Sequence, residues 1–100
     1  MTHPSLDPSL DPEVHRRLSI LFELAPRPDK VDFINHLALE INHLILTDFP
    51  GLVQKLYRLD VDEDRLRSML KQYVHDDAGY IIAQLIIERE TQKVKAMNKK

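Results

Sequence analysis

The fold of this chain is decided by residues 78–87, which read Ala-Gly-Tyr-Ile-Ile-Ala-Gln-Leu-Ile-Ile. Only Gln84 inside this run and Glu88 just after it keep one narrow side polar at helical spacing. A helix that is apolar on almost every side must be surrounded by other elements. The run therefore predicts a long, largely apolar C-terminal helix at the centre of a helical bundle.

Shorter amphipathic helices are predicted upstream of this central helix. Asp11 is placed to cap the first, which Pro26-Arg27-Pro28 stops, and Asp29 is placed to cap a second over residues 30–47. The third follows a break at residues 48–51, and the fourth begins at the cap Asp62. The predicted apolar faces are Leu52, Val53, Leu56, Tyr57 and Leu59 on the third helix and Leu66, Met69, Leu70 and Tyr73 on the fourth. With Asp76 as the cap of the last helix, the chain is predicted to be an all-α, single-domain bundle of about five helices.

Length and composition narrow the class of protein. The 100 residues suit one domain, with residues 1–10 as an irregular arm and residues 11–100 as the helical domain. The absence of cysteine excludes disulfides and thiolate metal sites, and it suits a reducing cytoplasm. The first residues do not form a signal peptide, and no apolar run approaches the roughly 20 residues that span a bilayer. We therefore expect a soluble, cytoplasmic protein without membrane contact.

Four apolar residues lie away from the main apolar stripes of their helices. They are Leu39 and Leu46 on the second helix and Ile81 and Ile87 on the last. A self-complementary contact between two copies would bury all four. The sequence therefore predicts a homodimer, or a complex with another protein, in which these residues lie at the interface.

Two histidines and a glutamate share one face of the second helix. His36, Glu40 and His43 have the i, i+4, i+7 spacing, and Glu40 with His43 matches the Glu-x-x-His pattern of carboxylate metal bundles. No other glutamate precedes a histidine at that spacing, and the same face carries Asp32 and Thr47. A solvated helix face is the preferred interpretation. These three residues are the candidate metal ligands, and no cofactor is predicted.

The end of the chain is basic. The whole chain has a formal net charge of −2, yet residues 89–100 hold five basic side chains against one acid. These five are Arg89, Lys93, Lys95, Lys99 and Lys100. The polar helix beyond Arg89 is expected to project from the body, where it could bind nucleic acid by releasing counterions. Association with nucleic acid is therefore the alternative function.

Catalytic patterns are missing from the sequence. Gly51 and Gly79 are isolated, so they form no phosphate-binding loop. The acids at 60–64 imitate a calcium loop, but Arg65 stands where its turn needs glycine. The same acids would repel DNA if the third and fourth helices were a helix-turn-helix. The leading hypothesis is thus a non-catalytic protein–protein interaction or self-assembly module.

Several phrases between Asp48 and Lys93 resemble those of short bacterial proteins. They are Asp48-Phe49, residues 56–60 (LYRLD) and residues 77–79 (DAG), which lead into residues 82–89 (IAQLIIER). The proteins they resemble form a family of unknown function. The resemblance implies a small, all-helical bacterial protein, and it carries over no catalytic, cofactor or binding residue.

Overall fold

The computed structural model describes residues 10–27, 29–72 and 77–98, and these residues form an all-α single domain with no strand among them. The five helices are α1 (Pro12–Phe22), α2 (Lys30–Thr47), α3 (Phe49–Leu59), α4 (Glu63–Gln72) and α5 (Ala78–Asn98). The prediction of an all-α bundle of about five helices is confirmed.

Acidic caps begin the helices at the predicted places. The carboxylates of Asp11, Asp29 and Asp62 each accept a backbone N–H of the following turn, at 2.9, 3.2 and 3.0 Å. Each bond satisfies a donor that the helix itself leaves unpaired. The predicted cap Asp76 lies outside the described residues.

Two helix boundaries differ from the prediction. α1 ends at Phe22 rather than at the prolines, because Glu23 takes the left-handed conformation (φ 55°) that closes a helix end. α3 begins at Phe49, inside the predicted break, because Asp48 caps it by accepting the Gly51 N–H at 3.1 Å. Pro50 then lies in the first turn of α3. Backbone N–H groups there have no partner within the helix, so the N–H that proline lacks costs no helical hydrogen bond.

The core is centred on the pair α2 and α5, which make the most extensive helix contact in the structure. The two helices run in opposite directions, since Asn42 lies beside Gly79 at one end and Lys30 shares a groove with Lys95 at the other. The largest fully buried side chains come from four helices: Val14, Leu18, Phe33, Leu37, Ile41, Leu52, Ile86 and Val94.

The start of α5 is capped by a side chain from α2. Asn42 Oδ1 accepts the Gly79 N–H at 3.0 Å, and Asn42 Nδ2 donates to Asp77 Oδ1 at 2.7 Å. This pattern fixes the orientation of the Asn42 amide, because the backbone N–H needs an oxygen and the carboxylate needs a donor. Gly79 packs so closely on α2 that a Cβ there would overlap the Ala38 carbonyl oxygen.

The second half of α5 stays against the body. Val94 and Glu90 are buried, while Arg89 and Lys93 reach back to the end of α3. The helix was expected to project from the body beyond Arg89. It stays packed on the body as far as Val94, so the expectation is wrong for that part of the helix. The cause is the apolar Val94, four residues after the buried Glu90 and on the same face of the helix.

α4 is a thin cover rather than a core helix. None of its residues is fully buried, and the predicted inner residues Leu66, Met69 and Leu70 are half-buried. Tyr73, predicted on the same face, lies outside the described residues. An Arg65–Glu88 ion pair at 2.8 Å joins α4 to α5.

The predicted arm at 1–10 ends in a core residue. Leu10 is buried against the hydrophobic core, and residues 1–9 lie outside the described part of the chain. Among the described helices, none combines the length and apolarity that crossing a membrane requires.

Candidate functional site

Besides Val31 near the start of α2, five large apolar side chains on α2 and α3 face solvent. Their exposed fractions are 66% for Leu39, 86% for Leu46, 56% for Phe49, 46% for Val53 and 87% for Tyr57. Scattered exposed apolar residues are ordinary on a protein surface, but contiguous ones mark binding sites. The spacing of these five residues therefore decides whether they form a binding surface.

Three of them form one ridge along α3. Phe49, Val53 and Tyr57 are four residues apart, so they lie one above the other on adjacent turns. We call these three residues the α3 stripe. The other side of α3 is attached to the core through Leu52 and Leu59, which are buried. α3 therefore presents one apolar face inward and a second one outward.

The four predicted interface residues divide into two pairs. Leu39 and Leu46 are exposed, on the side of α2 away from the core. Ile81 and Ile87 are each only 5% exposed, so their predicted position on an open surface is wrong. Apart from Tyr80, which is exposed, the other helices of the same chain enclose the apolar run of α5, and burial of its isoleucines and leucine needs no second copy.

The candidate metal ligands do not form a metal site in the described structure. His36 and Glu40 are half-buried and His43 is exposed. The described residues contain no group of three His, Asp or Glu side chains placed to hold a metal ion. The reason is geometric: seven residues of helix spread the three groups over roughly 10 Å, and no other helix adds a ligand within the described part of the chain.

The basic residues of the alternative function are partly engaged by the body. Arg89 donates to Asp60 Oδ2 at 2.9 Å and Lys93 donates to the Leu59 carbonyl at 3.0 Å. Lys95 is exposed, whereas Lys99 and Lys100 lie outside the described residues. Arg89 and Lys93 thus act as ties between α5 and α3 rather than as a free basic surface.

A buried carboxylate joins α1 to α5. Glu90 is 2% exposed, with Arg17 Nε at 3.3 Å from Oε2 and Lys93 Nζ at 3.1 Å from Oε1. Two cations neutralise this carboxylate, so its role is to hold helices together. On the surface of α1, a hydrogen bond from Arg16 lowers the pKa of the exposed Glu13 carboxyl.

A histidine fixes the connection between α1 and α2. His15 Nε2 accepts the Arg27 backbone N–H at 2.7 Å, and its ring packs edge-on against Phe33 with 5.0 Å between centroids. Because Nε2 accepts, the ring proton of the neutral imidazole lies on Nδ1. Sequence reasoning gave His15 no role, since its partner lies twelve residues away in an irregular segment.

Replacing His15 with leucine is expected to lower the free energy of unfolding by about 1–2 kcal/mol. The substitution keeps the apolar contact with Phe33 but leaves the Arg27 N–H without its acceptor. Urea denaturation followed by circular dichroism measures the change. His43→Leu, on the exposed side of α2, is the matched control and should stay within about 0.5 kcal/mol of the parent. Equal stability of the two variants would contradict the role of His15.

Comparison of the chain with protein-family models, with curated proteins and with solved structures found no match. The resemblance to short bacterial proteins therefore stays a prediction.

Proposed function

We propose that this chain is a non-catalytic interaction module that binds another protein molecule through the α3 stripe. The observation that carries the proposal is the exposure of Tyr57, at 87%, on the same ridge as Phe49 and Val53. Aromatic residues are enriched at protein interfaces, and tyrosine is among the residues that dominate their binding energy.

The arrangement of the stripe supports binding rather than chance exposure. Residues four apart on one helix form a continuous ridge, and such ridges are what helix-recognising grooves accept as anchors. If the outward face of a helix bound no partner, that face would be expected to hold polar residues. On α3 the polar positions Gln54 and Arg58 are instead displaced to one side of the ridge.

α3 is held rigidly before any partner arrives. Asp48 caps its start, and at its end the Asp60 N–H donates to the carbonyls of Leu56 and Tyr57. The Asp60 carboxylate is in turn bound by Arg89. A preorganised surface loses less conformational entropy on binding, so more of the contact energy appears as affinity.

The nucleic-acid alternative has less support, because Arg89 and Lys93 are engaged within the chain. We also propose that the module acts in the cytoplasm, since it contains no cysteine that an oxidising compartment would pair.

Photo-cross-linking in living cells tests the proposal. A benzophenone amino acid replaces Tyr57, whose size and shape it approximates, in the full-length chain expressed in its native cells. Irradiation is expected to join the chain to a protein, giving a discrete band of higher mass. Ser68, exposed on α4, is the matched control position and should give no such band.

The mass of the adduct identifies the class of partner. An adduct of twice the 11.7 kDa chain indicates a second copy, and any other discrete mass indicates a different protein. If position 57 gives no adduct beyond that of position 68, the stripe binds no protein and the proposed function is wrong.

A further inference from the structure

We infer that the chain has a second binding site, a basic groove between α1, the end of α3 and α5 that binds the phosphoryl group of a small phosphate monoester. The inference goes beyond the proposed function, because no residue of the α3 stripe lines this groove. The groove has a volume of about 310 Å³, and its charged lining consists of Arg16, Arg17, Arg58, Lys93 and Glu90.

Positive charge is in excess around the basic groove, although the chain as a whole has a net charge of −2. Four cations and one carboxylate line it, and the excess is still two when Glu13, which binds Arg16 at 2.6 Å, is included. The groove between α4 and α5 has the opposite balance, since Arg65 and Arg89 there meet three carboxylates. A cleft with an excess of one charge attracts ligands of the other sign.

The buried Glu90 carboxylate positions two of the cations before a ligand arrives. Its Oε2 lies 3.3 Å from Arg17 Nε, and its Oε1 lies 3.1 Å from Lys93 Nζ. Arg17 is held at a second point, because its Nη1 donates to Met97 Sδ at 3.4 Å. Arg17 Nη2 has no partner among the described residues, so a positioned donor remains for an anion.

Arg58 supplies a guanidinium that the protein does not use elsewhere. Its side chain is exposed in the last turn of α3, and it forms no ion pair within residues 10–27, 29–72 and 77–98. A guanidinium can bind two oxygens of one phosphate at once. The carbonyl end of α3 would repel an anion, but Lys93 Nζ covers it by donating to the Leu59 carbonyl at 3.0 Å.

The charge and the size of the groove select the ligand. A phosphate monoester carries about −1.5 to −2 at pH 7, which matches the excess of two, whereas a carboxylate or a nucleic-acid phosphodiester carries a single negative charge. A volume of about 310 Å³ is near the lower limit for ligand pockets, roughly 300–1,000 Å³, so the rest of the molecule must be small. Ile20, Leu21 and Leu59 complete the lining and offer an apolar surface to that part.

Titration of the purified full chain with phenyl phosphate at constant ionic strength tests the site. Binding is followed by ¹H–¹⁵N NMR, and we expect the largest signal changes at the side-chain N–H groups of Arg17 and Arg58. The expected dissociation constant is on the order of 1 mM, as suits a small, open groove. Phenyl sulfate has the same shape and about half the charge, so it should bind at least about five times more weakly.

Arg58→Gln is expected to raise the dissociation constant for phenyl phosphate about tenfold, because it removes charge-assisted hydrogen bonds to the ligand. Lys71→Gln is the matched control, since Lys71 is also exposed and also lies in the last turn of its helix, α4. It changes the net charge by the same amount and should leave the constant within about twofold of the parent. Circular dichroism confirms that both variants are folded.

Four results overturn the inference. Phenyl phosphate may leave the signals of Arg17 and Arg58 unchanged, which would mean that the groove binds no phosphate. Equal weakening by Arg58→Gln and Lys71→Gln would identify phenyl phosphate as an adventitious ion only. Equal binding of phenyl sulfate would show that the groove does not select a doubly charged group. If a single-stranded oligonucleotide binds the groove more tightly at the same concentration of phosphate groups, the occupant is nucleic acid.

Discussion

Replacing Gly79 with alanine is expected to lower the free energy of unfolding by about 2–5 kcal/mol, although alanine is the better helix former by about 1 kcal/mol. The added Cβ would overlap the Ala38 carbonyl oxygen and would lie 2.6 Å from Asn42 Oδ1. α2 and α5 must then separate, which breaks the hydrogen bond from the Gly79 N–H to Asn42 and loosens the core around Ile41. Glycine to alanine stabilises a solvent-exposed helix position, but at Gly79 the same change is expected to be among the most destabilising in this chain.

Urea denaturation of the purified variants measures this loss. Gly51→Ala is the matched control, since the three atoms nearest to a Cβ there all belong to the side chain of Asp48, which can rotate away. Its effect should stay within about 1 kcal/mol, because the gain in helix propensity offsets a weakened cap. If Gly79→Ala proves as stable as Gly51→Ala, α2 and α5 do not approach as closely as described.

Removing both cations from Glu90, in the variant Arg17→Met with Lys93→Met, is expected to cost about 3–5 kcal/mol. The Glu90 carboxylate would remain buried without a counter-charge, and a buried unpaired charge is among the most destabilising of all changes. Methionine approximates the length of the alkyl stems that both cations contribute to packing, so the loss reports mainly on charge.

The triple variant, which adds Glu90→Met, is expected to recover most of that stability. Replacing a whole buried ion network by apolar side chains of similar volume is often neutral or stabilising. Recovery is favoured here because Lys93 Nζ, although 3.1 Å from Glu90 Oε1, is not aligned to donate a hydrogen bond to it, and no other described residue does so. Thermal and urea unfolding of the parent, double and triple variants provide the comparison. A triple variant no more stable than the double would show that the cations act through packing and through the hydrogen bond from Lys93 to the Leu59 carbonyl rather than through the charge of Glu90.

The helices were predictable because their signals are local. Asp11, Asp29 and Asp62 stand directly before the turns that they cap, and the apolar periodicity that follows needs no knowledge of the rest of the chain. The end of α1 was not predictable in this way. Its left-handed residue is Glu23, whereas glycine is the usual signal for that conformation.

The candidate site was predictable only in part, because exposure depends on which helix covers which face. Leu39 and Leu46 were found because they lie off the main stripe of α2. Ile81 and Ile87 satisfy the same criterion on α5, yet the surrounding helices bury them. Periodicity identifies a residue off the stripe, but it does not say whether another helix packs there.

The α3 stripe was missed for a related reason. Val53 and Tyr57 were placed on one face with Leu52 and Leu56, as though all of them packed inward. In a helix of eleven residues the two apolar faces lie side by side, and only the position of the neighbouring helices separates them. The four-residue spacing from Phe49 to Tyr57 was the available signal.

The cap that Asn42 provides to α5 has a consequence for the kinetics of folding. Its hydrogen bond to Gly79 spans 37 residues of sequence, so the intervening chain must close into a loop before the bond can form. Non-local closure of this kind is the slow step of folding, and the pairing of α2 with α5 is therefore expected in the transition state. Substitutions at Asn42 and Gly79 should mainly slow folding, whereas those in the thinly packed α4 should mainly hasten unfolding.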